Sequence, residues 1–193
     1  MKLKNMIPGR SRTLLLSLAA GTVVLLVAGC SGDRYNRSAG QYIDDKSTTA
    51  RVVSSLRDNS EYKFEDVSVM TYGSAVQLSG FVNTADQKSK AGEIAKRVEG
   101  VKTVENNITL KDKPERTTGE AVDDKSLASR VNTALKENAE YRFEGVNVAT
   151  YRGTVQLSGY VSSAEQKARA ADLTKEVNGV KDVVNNISVK EQL

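Results

Sequence analysis

Val76-Gln77-Leu78-Ser79-Gly80-Phe81-Val82 returns as Val155-Gln156-Leu157-Ser158-Gly159-Tyr160-Val161, 79 residues later. The offset holds outward in both directions. Asp44-Asp45-Lys46-Ser47 becomes Asp123-Asp124-Lys125-Ser126, and Asn106-Asn107-Ile108 becomes Asn185-Asn186-Ile187. No gap is needed between Asp44 and Lys111, and about half the aligned positions are identical. The chain carries one module of roughly 70 residues twice, a size that can hold its own core. Two copies separated by a linker can close separately and need not form a solenoid.

Periodicity assigns the elements of each module. Val76, Leu78 and Gly80 alternate with polar residues, as do Val67, Val69 and Thr71 before them. Two such runs joined at Gly73-Ser74, or Arg152-Gly153 in the second copy, predict a hairpin of half-buried strands. Upstream, Leu127, Val131 and Leu135 keep a helical period that Val52 and Leu56 echo. The Asp pair and Ser in front suit a helix N-terminus, where oxygens meet orphan N–H groups and negative charge meets the dipole. Downstream, Ala85, Ala91, Ile94, Ala95 and Val98 place a second helix over about 84–98, ended by Gly100, as Gly179 ends its counterpart. A last strand runs from Val101 to about Leu110. The expected fold class is α+β: two tandem modules, each α-β-β-α-β, with a three-stranded mixed sheet packed on two helices.

Composition removes most chemistry. Among 193 residues there is no His, no Trp and a single Cys. That excludes His-based triads, His-containing zinc sites and internal disulfides. No catalytic residue, metal or cofactor is expected, and the chain is read as no enzyme. The net charge of +4 belongs to Lys2, Lys4, Arg10 and Arg12, because no Asp or Glu precedes Asp33. The remainder is neutral, so nucleic acid is not an expected partner.

Residues 1–29 read as a secretion signal, with a basic start and an apolar run from Leu14 to Val27. That run is too short for a membrane span, which needs about 20 residues. It ends Leu26-Val27-Ala28-Gly29-Cys30. This resembles a bacterial lipobox, which implies that Cys30 is lipidated and becomes the mature N-terminus. By the same resemblance, Ser31 rather than Asp after the Cys implies the outer membrane, on its periplasmic face. Residues 30–43 read as the lipidated Cys and a flexible tether, 44–111 and 123–190 as the two modules, and 112–122 as a linker.

The element order, the strand Val76–Val82 and the closing Gly100-Val101-Lys102-Thr103-Val104-Glu105-Asn106-Asn107-Ile108 together resemble the BON domain. Two copies behind a lipobox resemble the OsmY-like, dual-BON lipoproteins of the bacterial envelope. The resemblance implies a non-enzymatic protein that binds phospholipid and supports envelope integrity under osmotic stress. The alternative is a periplasmic protein-interaction or chaperone-like module that holds client or assembly proteins. An exposed edge of a three-stranded sheet would serve that role by pairing with an added strand.

Few residues stand out as sites. Gly80 and Gly159 lie inside strands and predict a bulge or close approach of the second helix. Neither belongs to a nucleotide-binding glycine pattern. The Asp44-Asp45 and Asp123-Asp124 pairs read as caps rather than calcium ligands, since no spaced oxygen set follows. Asn107-Ile108-Thr109 and Asn186-Ile187-Ser188 match a glycosylation pattern but lie within expected strands. Tyr62-Lys63-Phe64 and Tyr141-Arg142-Phe143 set two aromatics around a cation after the first helix. They read either as core-edge cover or as a shallow contact with anionic phospholipid headgroups. For the second reading the candidate residues are Lys136, Tyr141, Arg142 and Phe143. Expected partners are thus the membrane through Cys30, anionic headgroups and envelope proteins.

Overall fold

The computed structural model describes residues 38–113 and 115–190. The signal, Cys30 and most of the tether lie outside the described residues. In the first module, α1 (Ala39–Arg57) precedes a hairpin of β1 (Val67–Tyr72) and β2 (Ala75–Val82). Then come α2 (Ala85–Lys96), β3 (Thr103–Asn106) and β4 (Thr109–Leu110). The second module repeats the order with α3 (Thr118–Lys136), β5 (Val146–Tyr151), β6 (Thr154–Val161), α4 (Ala164–Lys175) and β7 (Asp182–Val189). β2 is central, antiparallel to β1 and parallel to β3 and β4; β6 is central between β5 and β7 in the same senses. The expected α-β-β-α-β modules with mixed sheets are therefore present. β3 and β4 are one edge strand broken at Asn107-Ile108, whereas its counterpart β7 is continuous.

Each module has its own core on the helix-bearing face of its sheet. Val52, Leu56, Val76, Leu78, Ala91, Ala95 and Ile108 form the first. Val131, Leu135, Val155, Leu157, Ala170 and Ile187 form the second. Small residues let the second helix come close. A Cβ on Gly92 would stand 2.8 Å from the Asn106 amide nitrogen, which donates to the Lys88 carbonyl at 2.7 Å.

Both first helices start earlier than their sequence implied. Ser38 and Thr117 are the N-caps, each in a capping box with Gln41 or Glu120, so the helices reach into the expected tether and linker. The Asp pairs are consequently not caps. Asp45 and Asp124 sit one to two turns inside their helices and are buried, at 3% and 4% exposure. Their carboxylates accept the backbone N–H groups of the hairpin turn: Gly73 and Ser74 for Asp45, Arg152 and Gly153 for Asp124, at 2.8–3.0 Å. Those turns need the help, because Gly73, Ser74, Arg152 and Gly153 all have positive φ. Arg116 adds an ion pair to Asp124 at 2.9 Å. The carboxylate locks a helix to a hairpin.

The strands were expected to be half-buried, yet β2 and β6 are buried on both faces. The outer face of one sheet packs on the outer face of the other, around a pseudo-twofold arrangement. The Gln77 carboxamide accepts from the Gly159 N–H and donates to the Asn186 carbonyl at 2.9 Å and the Ser188 hydroxyl at 3.0 Å. Gln156 mirrors it, accepting from the Gly80 N–H and donating to the Asn107 carbonyl and the Thr109 hydroxyl. The Ser158 hydroxyl donates to Ser79 at 2.8 Å. Ring pairs close the ends: Tyr72 with Tyr160 at 5.3 Å, and Phe81 with Tyr151 at 5.5 Å between centroids. Lys190 and Lys111 cover the two pairs, 5.0 Å from the Tyr72 and Tyr151 centroids.

The strand glycines serve this layer. Gly80 and Gly159 have φ of +114° and +112°. An added Cβ would stand 1.9 Å from the Asp66 carbonyl oxygen or 2.0 Å from that of Gly145. What approaches is therefore the loop leading into the first strand, not the second helix.

Candidate functional site

The cation-and-aromatic segment of the second module begins in the last turn of α3, where Lys136 is exposed. Basic charge there also complements the negative end of the helix dipole. The chain then turns at Asn138, whose side-chain oxygen accepts the Tyr141 N–H at 2.8 Å. The Phe143 carbonyl accepts from Val146 N–H at 3.0 Å as β5 starts. These two bonds fix the loop and set its three side chains in different directions.

Those directions divide the expected site. The Arg142 side chain is 90% exposed and faces Glu144 at 3.7 Å, a contact too solvated to hold it. Tyr141 is half-buried, its ring 6.2 Å from that of Phe143. The Glu140 carboxylate and partial burial together raise the Tyr141 phenol above its ordinary pKa, so it stays neutral. Phe143 itself is 6% exposed and belongs to the second core. It supports Tyr141 from inside and presents no apolar wedge to a membrane.

The first module repeats the arrangement. Phe64 is 8% exposed and core, Tyr62 packs on it at 6.3 Å, and Lys63 is exposed. The Asn59 side chain accepts the Tyr62 N–H at 2.8 Å. Both modules thus carry an inward Phe, a half-buried Tyr and an exposed cation at this place.

Among the described residues no group of His, Cys, Asp or Glu side chains could hold a metal ion. No described helix is long and apolar enough to cross a membrane. A charged hollow of about 310 Å³ lies between α3 and the β5–β6 turn. Two of its carboxylates are engaged: Asp124 as described, and Glu120 with Arg152 at 2.9 Å and the Thr117 N–H at 2.8 Å. The Thr117 N–H, with Arg152 nearby, holds the Glu120 carboxyl below its ordinary pKa. These contacts make the rim of the hollow a helix-capping network.

The inter-sheet layer, which joins Gln77, Ser79, Gln156 and Ser158, is what sequence reading missed. Period-two polarity marks a solvent face unless something covers it. The available signal was Phe81 and Tyr160, large aromatics in phase with the polar positions of their strands.

Two α-β-β-α-β modules with paired sheets define a class of small tandem-repeat α+β proteins. The BON domain model matches residues 44–112 and 123–191, and the chain belongs to the BON-domain family as a dual-BON protein. It is 36% identical to the osmotically-inducible protein Y of Escherichia coli over 163 residues, 84% of this chain and 81% of that one. It is 30% identical to the outer membrane lipoprotein DolP of Haemophilus influenzae, over 77% of this chain and 76% of that protein. A 21 kDa hemolysin of Actinobacillus pleuropneumoniae is 31% identical, covering 79% of this chain and 77% of its own.

Proposed function

We propose that this chain is a non-enzymatic lipoprotein held on the periplasmic face of the outer membrane, where its BON pair contacts phospholipid and supports envelope integrity under osmotic stress. The observation that carries this reading is the placement of the single thiol. Cys30 closes an apolar run and stands eight residues before the cap of α1. Each buried acyl CH₂ contributes about 0.8 kcal/mol, so the two or three chains usual on such a cysteine make attachment effectively permanent. The names of two relatives, an outer membrane lipoprotein and an osmotically-inducible protein, accord with it. Lys136, Tyr141 and Arg142 are the second module's contact with anionic headgroups, with Phe143 backing the Tyr141 ring.

Metabolic labelling tests the anchor: palmitate enters the parent, and Cys30→Ala blocks both labelling and processing of the precursor. Labelling of that variant refutes it. For the contact, residues 38–193 bind anionic vesicles, and Lys136→Glu with Arg142→Glu weakens binding most at low salt, because exposed charge is screened within about 8 Å at physiological ionic strength. A second reading, a holder of envelope proteins, is favoured by the outer edges of β1 and β5, which pair with no strand among the described residues. Absence of vesicle binding, with envelope proteins crosslinked along those edges, would select it.

A further inference from the structure

The outward side of α1 differs from that of every other helix described. Tyr42, Ile43, Lys46, Ala50, Val53 and Arg57 follow helical spacing and lie within one arc of about 100°. All six are exposed; Ile43 is 66%, Tyr42 45% and Val53 42% exposed. Half of the large hydrophobic side chains exposed among the described residues are on this one face. The cations are interleaved with them, and the Lys46 ammonium stands 5.1 Å from the Tyr42 ring centroid. No carboxylate of α1 shares the arc: Asp44 projects elsewhere, and Asp45 is buried against the first hairpin turn.

The equivalent positions of α3 are Ala121, Val122, Lys125, Ser129, Asn132 and Lys136. Polar residues replace Ala50 and Val53, and the Asn132 amide turns back to the Ala128 carbonyl of its own helix at 2.9 Å. The repeat relationship makes this contrast informative. Both helices bury the same inner face, so an exposed apolar stripe on α1 alone is not a requirement of the module.

We infer that the α1 stripe is a docking surface for an anionic phospholipid bilayer, lying along it with the apolar side chains at the headgroup boundary. This rests on Cys30 being the lipid anchor. From Cys30 to Ser38 the chain extends at most about 29 Å, and α1 is itself about 28 Å long. The tether therefore delivers the N-terminal end of the stripe to the membrane that holds the cysteine. A helix with apolar residues flanked by cations is suited to that interfacial position. Tethering also offsets the weakness of a four-residue apolar contact, because the surface is always within reach.

The test uses the full anchored chain in vesicles of phosphatidylethanolamine and phosphatidylglycerol. With Cys30 acylated, Ile43→Cys supplies the sole free thiol for an environment-sensitive fluorophore. Glu93→Cys, exposed on α2, gives the control. The label at residue 43 is quenched about twofold or more by lipids with a quencher near the headgroups, as expected for a probe held about 5–10 Å into the boundary. The label at residue 93 is not. Lys46→Glu with Arg57→Glu shifts the docked population by at least about 25-fold, since each cation contributes roughly fivefold at an anionic surface. Equal quenching at residues 43 and 93, or a buried signal at 43 without lipid quenching, overturns the proposal; the latter would mean that protein covers the stripe. Release of the chain by an alkaline wash would instead refute the anchor, which keeps the two failures apart.

Discussion

Gln156→Ala should weaken the protein at a site in the other module. Gln156 is fully buried, and its carboxamide makes three hydrogen bonds across the inter-sheet layer. Truncation leaves the buried Gly80 N–H without its acceptor. The Asn107 carbonyl loses its 2.6 Å donor and keeps only the Asn186 amide at 3.4 Å. An unsatisfied buried group costs about 1–3 kcal/mol, so one full loss and one partial loss come to roughly 2–4 kcal/mol. A typical domain has only about 5–15 kcal/mol in total. Urea unfolding of the chain from residue 38 measures the sum. Amide exchange locates it, because Gly80 should lose protection by about 30- to 1,000-fold if the local opening carries that cost. The Leu78 core beneath it should change only with global stability. A stability within about 0.5 kcal/mol of the parent, or a Gly80 amide that stays protected, would refute the idea that this layer joins the modules.

Three further outcomes follow from the geometry. Gly159→Ala should cost about 2–6 kcal/mol through positive-φ strain and overpacking against the Gly145 carbonyl, whereas Gly40→Ala, with nothing nearer than 3.9 Å, should stabilise; thermal denaturation of both checks the contrast. Asp124→Asn should lose about 2–5 kcal/mol and free the β5–β6 turn, seen as faster exchange of the Arg152 and Gly153 amides; a loss below about 1 kcal/mol would show that the helix-to-hairpin lock is dispensable. The Glu120 carboxyl, whose folded pKa is depressed, stabilises the α3 cap fully above its ordinary pKa of 4.5 and stops doing so as the pH falls through the lower folded value. Carboxyl carbon titration by NMR should therefore give a midpoint below 4.5, and a midpoint at or above it would remove the capping box from the acid response.

The repeat, the order of elements and the two cores were all written in local pattern. Leu78 and Leu157 alternate with polar neighbours, and Val131 and Leu135 recur at helical spacing, because a residue's direction from its own backbone depends only on local geometry. The absence of His and the single Cys fixed what chemistry was excluded. Three roles depended instead on what the chain brings alongside. Asp45 and Asp124 look like caps because acidic residues suit helix starts, yet Ser38 and Thr117 hold those positions and the carboxylates reach a turn 28 residues away. Phe143 reads either as core-edge cover or as a membrane contact, and the loop into β5 turns it into the core. Gln77 and Gln156 read as solvent-facing, since alternation reports which face a side chain occupies and not whether another sheet covers that face. That cover comes from the second copy, through contacts about 80 residues apart, and only the tertiary structure decides it.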